Sequence, residues 1–193
     1  MRERLRRAVD ALAHEDVRAL SRRYFVSNGF DGTLTSVGIV VGAYLSGVAD
    51  GWVTFKVGLG AAVGLATSGV WSVWEIERAE ARLEVHRVER AMLADLDDTL
   101  LERRRRSGRV VNAVLSGLGP VIGVVVPLLP FPFVGAGVTL LEATAAGVLL
   151  GVGLLFVFGA YLGAISEQNW VVAGLRMGVA GLVVALVNVA LPG

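Results

Sequence analysis

The chain has 193 residues and not one cysteine. Disulfides, thiolate metal sites and a cysteine nucleophile are therefore excluded. Histidine is almost as scarce: one lies in the charged N-terminal stretch and the other is His86. With so few, no credible nucleophile–base pair or carboxylate–histidine di-metal set can be assembled, and the expectation is a protein that is not an enzyme. No GxxxxGK[ST] loop is present, which argues against an ATP-driven pump. Charge is sparse as well, at 18% of residues with a formal net charge of +1, so nothing points to nucleic acid as a partner. The stretch from Arg2 to Arg23 alternates charged and apolar residues and lacks a compact apolar centre, so it does not read as a cleavable signal.

What fills the chain instead is apolar: 54% hydrophobic residues and 25 glycines. Uncharged runs reach the ~20 residues that a helix needs to cross a bilayer. The fold expected is all-α, a polytopic membrane protein with five transmembrane helices and a cytoplasmic helical extension between the second and third. The spans are placed at 33–48, 52–74, 110–129, 134–165 and 171–191. Residues 1–23 read as an amphipathic helix at the membrane surface, 24–74 as the first two transmembrane helices, 75–109 as the hydrophilic helical insert, and 110–193 as the last three spans. Trp52, Trp71 and Trp74 bracket the second span as interfacial aromatics do. Gly38 and Gly42, then Gly60 and Gly64, form small-residue pairs that let helices approach closely. Pro127, Pro130 and Pro132 stop the third span in a rigid turn, and Ser107-Gly108 breaks the chain after the insert.

Charges crowd into two segments, the N-terminal leader and Glu75 to Arg109, and both are rich in arginine. Arginine-rich segments stay cytoplasmic. The N-terminus is then inside and the C-terminus outside, and the excess of arginine over lysine favours a prokaryotic plasma membrane. Arg103, Arg104, Arg105 and Arg106 form a basic cluster at headgroup level that suits anionic membrane lipids.

Three sets of carboxylates are candidates for handling an ion. Asp31 follows Ser27-Asn28-Gly29-Phe30, a small-residue turn, and opens the first apolar run. It either caps that helix or meets an ion, since a carboxylate at the mouth of a membrane helix is costly to desolvate. Glu142 lies within the fourth span, where it either faces a path or sits in the interface near Pro130. Glu77, Glu80 and Glu84 recur at i, i+3 and i+7, so a helix puts them on one face, with His86 and Glu89 nearby. Oxygen ligands so clustered suit a hard divalent cation, whereas Glu75–Arg78 and Glu84–Arg87 have the spacing of surface ion pairs.

Asp31-Gly32, then Leu34-Thr35 and a glycine-rich apolar helix, together with the order of the later segments, resemble the vacuolar iron transporter family from about Arg22 onward. The resemblance implies a five-helix homodimer that moves Fe2+ or Mn2+, some members exchanging it for protons, with no tightly bound cofactor. It implies Asp31 as a ligand in the path and the acidic insert as a metal-collecting surface. The chain departs from the pattern at Ala61, where iron-transporting members have a glutamate, at Gly69, where they have a methionine lining the path, and at Tyr24, where plant and protist members have an aspartate. The alternative from another class is a membrane scaffold or sensor on the same fold that no longer transports.

Overall fold

The computed structural model describes residues 15–92 and 100–190. Within them the chain forms five α-helices, one 3₁₀ turn and no strand: α1 (Glu15–Leu45), α2 (Gly51–Met92), α3 (Leu100–Leu128), the 3₁₀ turn Phe131–Phe133, α4 (Leu140–Ile165) and α5 (Trp170–Ala190). By length and composition, four segments among the described residues are able to cross a membrane: Gly51–Glu84, Gly108–Phe133, Leu140–Ile165 and Trp170–Ala190. The chain is a membrane protein with several apolar helices.

α1 is absent from that set because Asn28, Asp31, Thr33, Thr35 and Ser36 dilute its apolar character. It is nevertheless the helix on which the others pack, most extensively α3, then α4 and α5. Its buried hydroxyls are satisfied locally or across the α3 contact. Thr33 donates to the Gly29 carbonyl at 2.7 Å and Ser36 to the Val124 carbonyl at 3.0 Å. The two backbones meet where side chains vanish: a methyl group on Gly32 would lie 2.7 Å from the Cα of Pro120. Small residues here allow the close approach that van der Waals packing between membrane helices requires.

The Ser27-Asn28-Gly29 stretch, expected to be a turn, is helical: Gly29 packs on Phe158 of α4 and on the Gly119 carbonyl of α3, Asn28 bonds Ser116 of α3, and Ser27 is exposed. The break expected at Ser107-Gly108 is likewise helical. Gly108 lies inside α3, where a methyl would come 3.0 Å from Val17 of α1. Residues 15–23 are the first turns of α1, continuous with the span; 1–14 lie outside the described residues. The expected long fourth span shortens at its start, since Gly135 and Gly137 take positive φ values of 86° and 102° and close a turn before α4.

α2 has 42 residues. At 1.5 Å per residue it is ~63 Å long, about twice the ~30 Å hydrocarbon thickness of a bilayer. Its apolar half packs on the core formed by Val40, Val41, Ala62, Val124, Leu128, Phe131 and Ala143. Three helices start on side-chain caps: Asp50 accepts from the Trp52 amide at 2.8 Å, Asn169 from the Val171 amide at 3.0 Å, and Thr139 and Glu142 form a reciprocal capping box.

Candidate functional site

Pro120 fixes the depth of the site. It lies twelve residues from one end of the Gly108–Phe133 segment and thirteen from the other. Gly32 packs directly on it, and Gly151, near the middle of α4, packs on Thr33 and Val37. Asp31 is therefore level with the middle of two apolar helices, inside an unbroken α1 and sixteen residues past its first residue. It caps no helix. Gly32, Thr33, Ser36 and Val37 turn into the bundle, whereas Asp31 and Thr35 are exposed. Continuing by helical steps, that side of α1 carries Gly38 and Gly42; Gly38 faces the amide of Asn188 on α5, and Gly42 faces open space. Thr35 donates to the Asp31 backbone carbonyl at 2.8 Å, which leaves the carboxylate itself uncommitted among the described residues.

Below this level the polar side chains of α1, α2 and α3 join. Asn28 donates to the Ser116 hydroxyl and, at 3.3 Å, to the Ser116 carbonyl. Gly69 of α2 closes over that pair: a methyl there would sit 3.0 Å from both Ser116 oxygens and 3.3 Å from the Asn28 amide nitrogen. The absence of a side chain at 69 thus makes room for an Asn28–Ser116 bond. Two turns further, buried Ser21 donates to the Asn112 carbonyl oxygen, and the Asn112 amide donates to Glu77 at 3.0 Å. Glu77 and Glu80 both lie close enough to Tyr24 to act on its hydroxyl electrostatically. Arg109 stacks over Trp74, 5.5 Å from the ring centre, closing the α2–α3 pair beside this network.

Glu77 is half-buried, bonded to α3 through Asn112 and beside Tyr24 of α1, while Glu80 and Glu84 are exposed on α2. Among the described residues, no three acidic or histidine side chains converge on one point. His86 bonds the Arg82 carbonyl one turn back, and Glu75 pairs with Arg78 at 3.5 Å, an exposed contact of small energetic worth. Glu89 and Arg103 to Arg106 are helical, and their side chains lie outside the described residues. Glu142 is exposed at the start of α4. Its Oε2 accepts from both the amide and the hydroxyl of Thr139, each at 2.8 Å.

The model of the VIT family matches residues 72–191, more than half of the chain. The chain belongs to the VIT family. It is also 27% identical over 167 residues, 85% of this chain and 84% of the other, to the uncharacterized protein MJ0645 of Methanocaldococcus jannaschii. Membership puts this VIT protein among membrane metal-ion transporters. The match begins in α2, so Asp31 and the whole of α1 lie outside it, and their roles have to be argued from geometry. α1 is tied to α3 by residues that the sequence alone did not single out, namely Asn28, Ser116, Ser21 and Asn112. Their partners are 88 and 91 positions apart, and no local spacing signals such pairs.

Proposed function

We propose that this VIT protein moves a divalent cation, Fe2+ or Mn2+, across the membrane as a homodimer, along a path lined by the exposed stripe of α1 from each subunit. The observation that carries the proposal is the depth of Asp31. A carboxylate level with the middle of apolar helices, exposed on its own subunit and without a donor, is costly unless it meets protein, water or an ion. A second α1 laid against the first covers both aspartates and brings two hard oxygen donors together, the chemistry such cations prefer. Metal binding by carboxylates displaces protons, so exchange against a proton gradient is the natural coupling.

In this reading the part of α2 beyond the bilayer stands in the cytoplasm. Glu77 at the membrane boundary and Glu80, Glu84 and Glu89 farther along α2 draw cations toward the path, their coordination completed by the partner subunit. Arg103 to Arg106 hold that extension to anionic headgroups. Glu142 lies at the opposite mouth, where Oε1 is left for a passing cation once Oε2 has bonded Thr139. Ala61 and Gly69 contribute no ligand atoms, so the path relies on Asp31, backbone carbonyls and water.

The test is uptake of Fe2+ or Mn2+ into proteoliposomes, with and without a pH gradient. Uptake by the wild type, and its loss in Asp31→Asn, is the expected result. Wild-type protein that moves neither ion under any gradient, while correctly folded, overturns the proposal.

A further inference from the structure

Outside the carboxylate sites, one cavity stands out by its chemistry. It has a volume of ≈ 490 Å³ and lies between α1, the end of α4 and the first half of α5, and Arg22, Arg23, Val26, Phe30, Leu162 and Met177 are among the residues that line it. Its volume falls within the ~300–1,000 Å³ of small-molecule sites. We infer that this groove binds the phosphate of an anionic phospholipid on Arg22 and Arg23 and lays the upper part of an acyl chain along Val26, Phe30 and Met177.

Depth supports the inference. Asp31 marks the middle of the apolar helices, and Arg22 lies nine residues before it, ~13 Å along the helix. Half of a ~30 Å hydrocarbon layer is about 15 Å. The arginines thus emerge at the headgroup boundary, while Phe30 lies at the midplane, so the groove runs the depth of one leaflet. Tyr161 and Trp170, both about half exposed, sit near the same boundary on α4 and α5, where amphipathic aromatics collect.

Charge then selects the lipid. No carboxylate among the described residues pairs with Arg22 or Arg23, and no acidic side chain lines the groove. Two guanidiniums facing an apolar slot favour a phosphodiester with net negative charge over a zwitterionic headgroup, whose ammonium they repel. The apolar walls favour a lipid over free phosphate, which has nothing to bury against Val26 and Phe30. The inference stands independently of transport, since none of these residues belongs to the proposed path.

The experiment is native mass spectrometry of the full-length, delipidated protein in detergent, titrated with phosphatidylglycerol or phosphatidylcholine. Wild type should hold one phosphatidylglycerol per protomer more tightly than phosphatidylcholine, and millimolar inorganic phosphate should not displace it. In Arg22→Gln/Arg23→Gln the affinity of that lipid should fall about thirtyfold, as expected for two arginines at a membrane surface. Lys56→Gln, which removes a cation at the other end of the molecule, should leave it unchanged. Met177→Trp fills the slot and keeps both arginines, so it should also lose the lipid, and it carries the test if the double variant does not fold. Equal retention by the arginine and tryptophan variants overturns the inference, as does displacement by inorganic phosphate. So does an arginine variant that turns monomeric with lipid binding intact, which would make the groove a contact between copies.

Discussion

Asp31 bears its charge on the exposed side of a helix whose other residues at that level are packed against glycine and proline. Because α1 runs unbroken through it, the residue satisfies no helix terminus, and Asp31→Asn and Asp31→Ala should behave alike in stability. Both should melt at or above the wild-type temperature, since each removes a carboxylate with no donor at the depth of the apolar core. Both should abolish Fe2+ or Mn2+ flux into proteoliposomes if the carboxylate is the ligand. Flux at the wild-type rate in either variant would leave the path without its principal residue. Gly69 makes the complementary case. Placing at this position the methionine that the family resemblance implies forces a side chain into a gap of 3.0 Å beside Ser116, displacing the Asn28–Ser116 bond. Gly69→Met should therefore cost about 1–3 kcal/mol, as overpacking does, read as a lower thermal midpoint in detergent, and should not raise flux. A stable Gly69→Met protein would mean that α2 and α3 separate more readily than their packing implies. Thr54, whose hydroxyl is the one buried side-chain polar atom without a partner among the described residues, points the other way. Thr54→Val keeps the shape and should leave stability unchanged or raise it.

At the scale of the helix, small residues did two different jobs, and the sequence showed only one of them. The ends of α5, the start of α2 and the proline turn after α3 were legible, because caps, prolines and the limits of apolar runs are local signals. Asp50, Asn169 and Pro130 each act within a few residues of where they stand. Ser27-Asn28-Gly29 and Ser107-Gly108 misled for a physical reason: in a membrane helix, small and polar residues mark where a neighbouring backbone comes close as often as they mark a turn. Asp31 was visible as a carboxylate before an apolar run, but its depth came only with the Gly32–Pro120 contact. The same contact gives a prediction for the α1–α3 pair. Gly32→Ala puts a methyl 2.7 Å from backbone that cannot rotate away, whereas Gly42→Ala meets nothing within 4 Å. Gly32→Ala should lower the thermal midpoint sharply and Gly42→Ala hardly at all. Equal midpoints would show that α1 and α3 can slide apart at no cost.

At the scale of the whole molecule, the uncovered surfaces have to be accounted for together. Gly42 on α1 and Gly60 and Gly64 on α2 all face open space, although glycine is found in membrane helices chiefly where another helix approaches. Asp31 shares its side of α1 with Gly42, and a single copy in a bilayer would turn this charge toward lipid. A second copy laid on α1 covers Gly42 and the charge with the same contact, and a two-fold interface of this kind places identical residues opposite one another. Gly42→Leu should therefore leave the protomer folded, since no neighbour within 4 Å is displaced, yet shift the protein from dimer to monomer in detergent, read by light scattering. Cation flux should fall with it, because the proposed path forms only between two copies. The native chain has no cysteine, so single cysteines introduced at Asp50 and at Arg82 report sidedness without background. With the arginine-rich segments inside, the first should label in intact cells and the second only after permeabilisation. A Gly42→Leu protein that stays dimeric and transports at the wild-type rate would place the contact elsewhere. Asp31 would then have to find its water and its ion within one copy, on a face that its own helices leave open.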